Sequence, residues 1–497
     1  MRLQKTTELI SSDPQSTTQR LDSLEFFTGL KVIYLGGTIV EDKQHTPILS
    51  IPMKSRRTTR WDMFATWVGA NANNGTWFVG GVLAACGFAV AMKVLVLSSA
   101  LSYVFLSLIG YIGYKTGVST MAISRASFGE RGSYLPSLVN ITQFIGWTAV
   151  NTFIAAQSVS LIFHQLLHWP LWGQPGGDKG LVVGILIMSV LHILSVSSGS
   201  RSVQLIERIG IVLVFIFVLW ESVAVFKTVS MDQIIGWHVP AKARMATGAA
   251  IDYVAAFNLA WVTAGADFTR FTSIKNNAIH TPFWGALIGV GWFAFIGLIS
   301  TISIAISSGV YNANNSDPST IASKLGLGVV AFLVIILTSM TANAVNLLAA
   351  GSALSNIFIR LRLKYSLWIV VLLATIVTFI PMFVGSFLDT FESFLDYVGM
   401  VLGPTIAIIC TDFYIRAHRH YEVKQLGLIN GKYWYHHGFN WIAYLVFALG
   451  VAFFIAVHQM PFFANTVGAT FVDMVLSGLL YYILMAIYDR KGSRHVN

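Results

Sequence analysis

The chain has 497 residues, of which 55% are hydrophobic and only 11% charged, with a formal net charge of +10. A soluble domain carries roughly a quarter of its residues as charges, so the composition excludes a water-soluble globular enzyme. Apolar runs of about 20 residues, each long enough to cross a hydrocarbon core, recur along the whole chain.

Residues 1–57 are polar and lack the apolar core of a signal peptide, which predicts a cytoplasmic leader that is partly disordered. Twelve spans are predicted near 61–88, 91–114, 135–164, 180–199, 208–227, 248–266, 283–307, 329–354, 366–385, 390–411, 440–458 and 468–488, followed by a short cytoplasmic tail at 491–497. With the N-terminus inside, every Lys and Arg falls on the cytoplasmic side except Lys93, Lys179, Lys227, Lys242, Arg244 and Lys324. Such asymmetry is the positive-inside pattern. It explains the basic charge as a topology signal, so nucleic acid is not an expected partner. The expected location is the plasma membrane, multi-pass, with both termini cytoplasmic. Cys86 and Cys410 lie in predicted spans without metal-ligand spacing and read as small buried hydrophobes.

The first span is interrupted by GANANNG at 69–75, where amides and glycines replace the leucines a bilayer favours. Irregular backbone at membrane depth is tolerated only where it is buried in protein or lines a cavity. In the third span, Trp147 and Asn151 stand four apart and share a helical face. An indole with an amide one turn away suits a planar heteroaromatic ring, stacked by Trp147 and bonded at its edge by Asn151. The sixth span reads AAIDYVAAFNLAWVTAGADFTRF, with Asn258, Thr263 and Gly265 in its middle or end. Two weak helices five spans apart suggest two inverted five-helix repeats, at about 61–227 and 248–411, framing a midplane site. The spans within 440–488 would lie outside the repeats. The eighth span carries Thr338, Ser339, Thr341, Asn343 and Asn346, so one of its faces is lined with hydroxyls and amides.

No ionisable residue sits near the centre of the spans that carry these polar groups. Asp62 and Asp267 lie at span ends, Glu221 near the outer end of the fifth, Asp252 at the mouth of the sixth, and Asp473 deepest, in the twelfth. Intramembrane charge marks ion relays and charged substrates, and its scarcity here predicts a neutral small-molecule substrate. Unwound carbonyls at Gly69 and Ala72, with the Thr341 hydroxyl, offer hard oxygen ligands for sodium. A proton would need a better-placed titratable group. No nucleotide-binding loop, zinc motif or nucleophile elbow is present, so neither an enzyme nor an organic cofactor is expected.

Four stretches together resemble the purine–cytosine permease branch of the nucleobase–cation symport family. They are RWDMFATWVGANANNGTWFVGG, ISRASFGERGSYLPSLVNITQFIGWTAVNT, DFTRF and TANAVNLLAAGSALSNI, and the leader element VEDKQHTPI is similar too. The resemblance implies an all-α membrane protein with a five-plus-five inverted repeat of leucine-transporter-like architecture plus two extra helices. It implies symport of a neutral nucleobase-like heterocycle by alternating access, with spans 1, 2, 6 and 7 rocking against spans 3, 4, 8 and 9. Cytosine, purines, uracil, allantoin, hydantoins and pyrimidine vitamin precursors all remain candidate substrates. Carried over residue by residue, Gly69, Ala72 and Thr341 would hold sodium and Trp147 would stack on the ring. Asn73 and Asn151 would be polar neighbours, Asn343 and Asn346 would bond the ring edge, and Phe257 and Asn258 would close the site from span 6. Met340 and Ala342 depart from the pattern beside Thr341, where relatives often place a second hydroxyl or an aromatic. Asn258 stands where some relatives keep an aromatic, leaving Phe257 or Trp261 to complete a sandwich. A monomer surrounded by lipid is expected.

Overall fold

Thr59 starts the first helix by a reciprocal cap: its Oγ1 accepts from the Asp62 amide at 3.2 Å, and the Asp62 carboxylate accepts from the Thr59 amide at 3.0 Å. From there the computed structural model is helical almost throughout, and it describes residues 49–197, 200–358, 361 and 363–493. The predicted leader disorder, the VEDKQHTPI segment and the end of the tail lie outside the described residues. The described end of the leader is docked, with Ile51 N donating to Gly117 O at 2.9 Å and Arg56 Nε to Ile51 O at 2.9 Å.

In chain order the helices are α1 (Arg60–Asn71), α2 (Asn74–Leu83), α3 (Phe88–Thr116), α4 (Thr120–Phe128), α5 (Tyr134–Leu167), α6 (Asp178–Ser197), α7 (Ser200–Thr228) and α8 (Met231–Gly236). Next come α9 (Thr247–Val262), α10 (Gly265–Thr269), α11 (Lys275–Ser308), α12 (Pro318–Lys324), α13 (Gly328–Ile357) and α14 (Leu363–Thr378). The chain ends with α15 (Ile380–Val384), α16 (Phe387–Thr411), α17 (Trp441–Val457), α18 (Pro461–Asn465) and α19 (Thr470–Ser493). Among the described residues nine helical stretches are long and apolar enough to cross a membrane. The α1–α2 pair, α7 and the shorter apolar α17 supply three more, a set compatible with twelve spans.

The helices pack in two groups. Broken α1–α2 lies along α11, and α3 packs on α9, α10 and α11. In the other group α5 packs on α6, α13 and α14. Small residues allow the close approach between the broken helix and α11, as is usual where lipid supplies no hydrophobic drive between helices. A Cβ at Gly289 would stand 2.8 Å from Val68 O, and one at Gly285 would stand 2.9 Å from Phe64 O. Larger residues there would push α1 off its support. Gly297 and Gly80 continue the seam beside α2, against Trp77 O and Ala294 O.

Across the second group the ties are polar. Asn356 near the end of α13 donates to Ser137 Oγ at 2.9 Å and accepts at Oδ1 from Arg125 Nη2 at 3.0 Å. Arg125 also pairs with Glu130 at 3.3 Å, and burial lowers its guanidinium pKa from the ordinary arginine range while Glu130 opposes that shift. The SRASFGERG loop thus fastens α4 to the end of α13.

Candidate functional site

The GANANNG run does break the first helix, and its three asparagines perform three different tasks. Asn73 is extended and caps α2: its Oδ1 accepts from Thr76 N at 3.1 Å, while its Nδ2 donates back to Ala70 O at 2.7 Å. Asn71 donates to Trp67 O at 3.0 Å and accepts from the Tyr103 hydroxyl at 2.8 Å. Asn74 reaches across to α13, donating from Nδ2 to Ile335 O at 2.9 Å and to Ser339 Oγ at 2.8 Å. The second break falls at Thr263–Ala264, between α9 and α10. Thr263 Oγ1 bonds Asn140 Oδ1 at 2.7 Å and receives Gln143 Nε2 at 3.1 Å, which pins this break to α5.

A small, partly open cavity lies between the breaks. It is lined by Asn73, Phe144, Trp147, Asn151, Phe257, Ala260, Trp261 and Asn346. Five of the residues nominated from sequence therefore converge here: Asn73, Trp147, Asn151, Phe257 and Asn346. The walls are aromatic and the polar atoms are amides, with no ionisable side chain among the lining residues. Phe257 and Phe394 each meet the Trp147 indole edge-on with ring centroids 5.1 Å apart, which fixes the ring. Gly75 leaves room beside it, since a Cβ there would stand 3.6 Å from Trp147 and 3.7 Å from Phe257.

Two buried polar atoms of this group have no protein partner: Trp147 Nε1, a donor, and Asn151 Oδ1, an acceptor. The Asn151 Nδ2 is already spent on Trp147 O at 3.0 Å, which sets the amide orientation. A buried polar group without a partner is destabilising by about 1–3 kcal/mol, a cost that a bound ligand could relieve here. The free acceptor matches a ring N–H of a neutral heterocycle.

Two nominated residues stand elsewhere. Asn258 is fully buried on the far side of α9, where Nδ2 donates to Ser99 Oγ at 2.9 Å and Oδ1 lies 2.7 Å from the Tyr103 hydroxyl. It follows Phe257 by one residue, hence by about 100° around the helix, and it ties α9 to α3. Asn343 is also fully buried, with Nδ2 3.1 Å from Thr148 O, Thr152 Oγ1 and His192 Nε2. It joins α13 to α5 and α6 and makes its only approach to the cavity through Asn346, whose Nδ2 donates to Asn343 Oδ1 at 3.3 Å. Phe144 and Ala260 line the cavity without having been nominated. The spacing 144, 147, 151 along α5 is the helical stripe that would have found Phe144.

Of the oxygens nominated for sodium, Gly69 O and Thr341 Oγ1 each make one helical bond and keep lone pairs for a ligand. Gly69 O accepts from Ala72 N at 3.1 Å, and Thr341 Oγ1 donates to Thr338 O at 2.8 Å. The α13 hydroxyl that does meet the first break is Ser339, two residues or about 200° away from Thr341 around the helix. It is occupied by the Asn74 amide.

The carboxylates in spans 5, 6 and 12 serve packing. Asp252 accepts from Ala469 N and Thr470 N at 2.7 Å each, holding α9 to the start of α19. Glu221 accepts from Ser300 Oγ at 2.6 Å, and Asp473 from Ser477 Oγ at 3.0 Å. A second small cavity adjoins the first along α5 and α13, lined by Ser119, Met121, Asn140, Ala264, Asp267, Ala349, Ser352 and Ala353.

A helical, multi-pass architecture with paired breaks around a neutral cavity defines a membrane permease rather than an enzyme. Residues 50–483 match the family described as permeases for cytosine/purines, uracil, thiamine and allantoin. The chain belongs to this family, the nucleobase–cation symporters. It is 23% identical over 454 residues to the allantoin permease of Bacillus subtilis, covering 88% of this chain and 92% of that one. It is 25% identical over 402 residues to the cytosine permease of Escherichia coli K12, covering 78% and 81%. In fold it is similar to Mhp1, a nucleobase-cation-symport-1 family transporter solved in a closed conformation with bromovinylhydantoin bound. The TM-score is 0.71 at 17% identity, with 89% of this chain and 95% of that one covered. The inward-facing conformation of Mhp1 gives a TM-score of 0.70 at 16% identity, covering 88% and 93%.

Proposed function

We propose that this permease imports a neutral nucleobase-like heterocycle across the plasma membrane, carrying it in the cavity between the two helix breaks. The observation that supports this reading above all is the pairing of a fixed indole face on Trp147 with a free acceptor one turn away, Asn151 Oδ1. The ring stacks on Trp147, and its ring N–H donates to Asn151. Asn346 bonds the remaining edge, and Asn73 and Phe257 bound the site from the two breaks. Asn343 and Asn258 act as positioning residues. The second cavity, on the side carrying Arg125 and Arg270, is read as the inner half of the path, with both termini cytoplasmic.

The substrate class extends from cytosine, purines and uracil to allantoin and hydantoins, since all present a ring N–H beside a hydrogen-bond acceptor on a planar or near-planar ring. Transport proceeds by alternating access, the group containing α1–α2, α3, α9–α10 and α11 moving against α5, α6, α13 and α14. The repeats at 61–227 and 248–411 supply these groups, and the protein acts as a monomer in lipid. Coupling is to a cation, for which Gly69 O, Ala72 O and the Thr341 hydroxyl are the candidate oxygen ligands. Thermal unfolding of the purified protein against cytosine, adenine, uracil, allantoin and hydantoin tests the reading. One ring class should raise the midpoint, and a flat response to the whole panel contradicts it.

A further inference from the structure

Two buried side chains stand between the cavities. Along α5, Asn140 lines the second cavity and Phe144 the first, with Gln143 between them. Across the second break, Ala260 lines the first cavity and Ala264 the second, with Thr263 between them. Gln143 and Thr263 meet at this level. Gln143 Nε2 donates to Thr263 Oγ1 at 3.1 Å and to Asn140 Oδ1 at 3.0 Å, and Thr263 Oγ1 donates to the same Asn140 oxygen at 2.7 Å. The ring of three is closed but not fully satisfied, because Gln143 Oε1 is buried without a donor. Admitting water would satisfy that oxygen, which lowers the cost of opening the ring.

A second set of bonds borders the inner cavity, further along the chain toward Arg270. Thr120 N donates to Asp267 Oδ2 at 3.2 Å, and Ala266 N donates to Thr120 Oγ1 at 3.2 Å. The two sets hang on different elements. The first joins α5 to the end of α9, and the second joins α4 to α10. The break at Thr263–Ala264 separates α9 from α10, and the non-helical turn at 129–133 separates α4 from α5. Each set can therefore part while the other holds. We propose that the inner side of the path is closed by these two polar layers in series, with the second cavity as the chamber between them. The inference rests on the transport reading above and assigns its order of release: the Asn140–Gln143–Thr263 layer parts first, then the Thr120–Asp267 layer. A single concerted rocking would break both at once.

The test is cysteine labelling of the full-length protein from the cytoplasmic face of inverted membrane vesicles, with a membrane-impermeant maleimide. The two native cysteines are removed as Cys86→Ser and Cys410→Ser. One reporter, Ala353→Cys, lies in the chamber, and the other, Ala260→Cys, lies in the first cavity. Thr263→Val removes the hydroxyl of the first layer and should speed labelling at Ala260→Cys alone, by about fivefold. Thr120→Val removes the side-chain bond of the second layer and should speed labelling at both reporters, by about fivefold. Combined, the two should multiply at Ala260→Cys. Equal acceleration of both reporters by Thr263→Val, or no acceleration by either variant in folded protein, overturns the proposal. Unfolding curves check folding, and Gln143→Leu and Asp267→Ala stand in for a threonine variant that does not fold. Saturating cytosine, adenine, uracil or allantoin should slow labelling at Ala260→Cys. If none does, the transport reading fails while the labelling pattern still judges the two layers.

Discussion

Asn343 and Asn346 stand one turn apart on α13 and are bonded to each other at 3.3 Å, yet only Asn346 lines the cavity. Asn343 spends its amide on α5 and α6, and so holds its neighbour in position. The two residues should therefore fail differently. Asn343→Ala removes a fully buried amide that joins α13 to Thr148 O, Thr152 Oγ1 and His192 Nε2 and should destabilise the ligand-free protein by about 1–3 kcal/mol. Asn346→Ala, which takes the donor from Asn343 Oδ1, should cost about 1 kcal/mol and in addition weaken heterocycle binding by about tenfold. Unfolding curves and a binding isotherm on both variants separate the roles.

Gly75 sets the width of the site. A Cβ there comes to ordinary contact with Trp147 and Phe257 and 3.0 Å from Asn73 Oδ1. Gly75→Leu should fill the space between the two rings and abolish binding of every heterocycle. Gly75→Ala should tolerate small single-ring ligands better than purines. Competition assays with one-ring and two-ring bases read the difference.

Arg125 should matter for stability and not for ligand choice. Its guanidinium is 1% exposed and holds Asn356 and Glu130. Breaking a buried ion pair by removing one partner is destabilising by about 3–5 kcal/mol, and Glu130 is 16% exposed, which reduces this to about 2–3 kcal/mol. Arg125→Ala should lower the unfolding temperature while the order of preference among heterocycles stays as in the wild type. A changed order of preference would place Arg125 in recognition.

Much of this arrangement is legible in the sequence because membranes punish polar groups without a purpose. GANANNG announces a break, and the indole–amide spacing of Trp147 and Asn151 announces a ring platform. Which asparagine does what is not legible. Asn71, Asn73 and Asn74 are adjacent letters with the same chemistry, and only the conformation at Ala72 and Asn73 sends them to Tyr103, to the α2 cap and to α13. The sequence places Asn73 beside the ligand and assigns no separate tasks to Asn71 and Asn74. In the structure Asn73 lines the cavity and is also the cap, while Asn74 crosses to another helix 261 positions away. Asn258 misled for a related reason: α9 is buried nearly all round, so no polar face marks which side meets the cavity.

The central claim is that Trp147 is the platform for a neutral ring. Stacking a base on an aromatic side chain is worth about 1–3 kcal/mol by alanine substitution. The most direct measurement is equilibrium binding of the panel's preferred heterocycle to wild type, Trp147→Phe and Trp147→Ala, with ligand-free unfolding as a control for folding. Trp147→Phe, which keeps a smaller ring face, should bind about tenfold more weakly. Trp147→Ala should lose binding by about 100-fold or more and abolish uptake while still folded. Wild-type affinity in a folded Trp147→Ala protein would contradict the account.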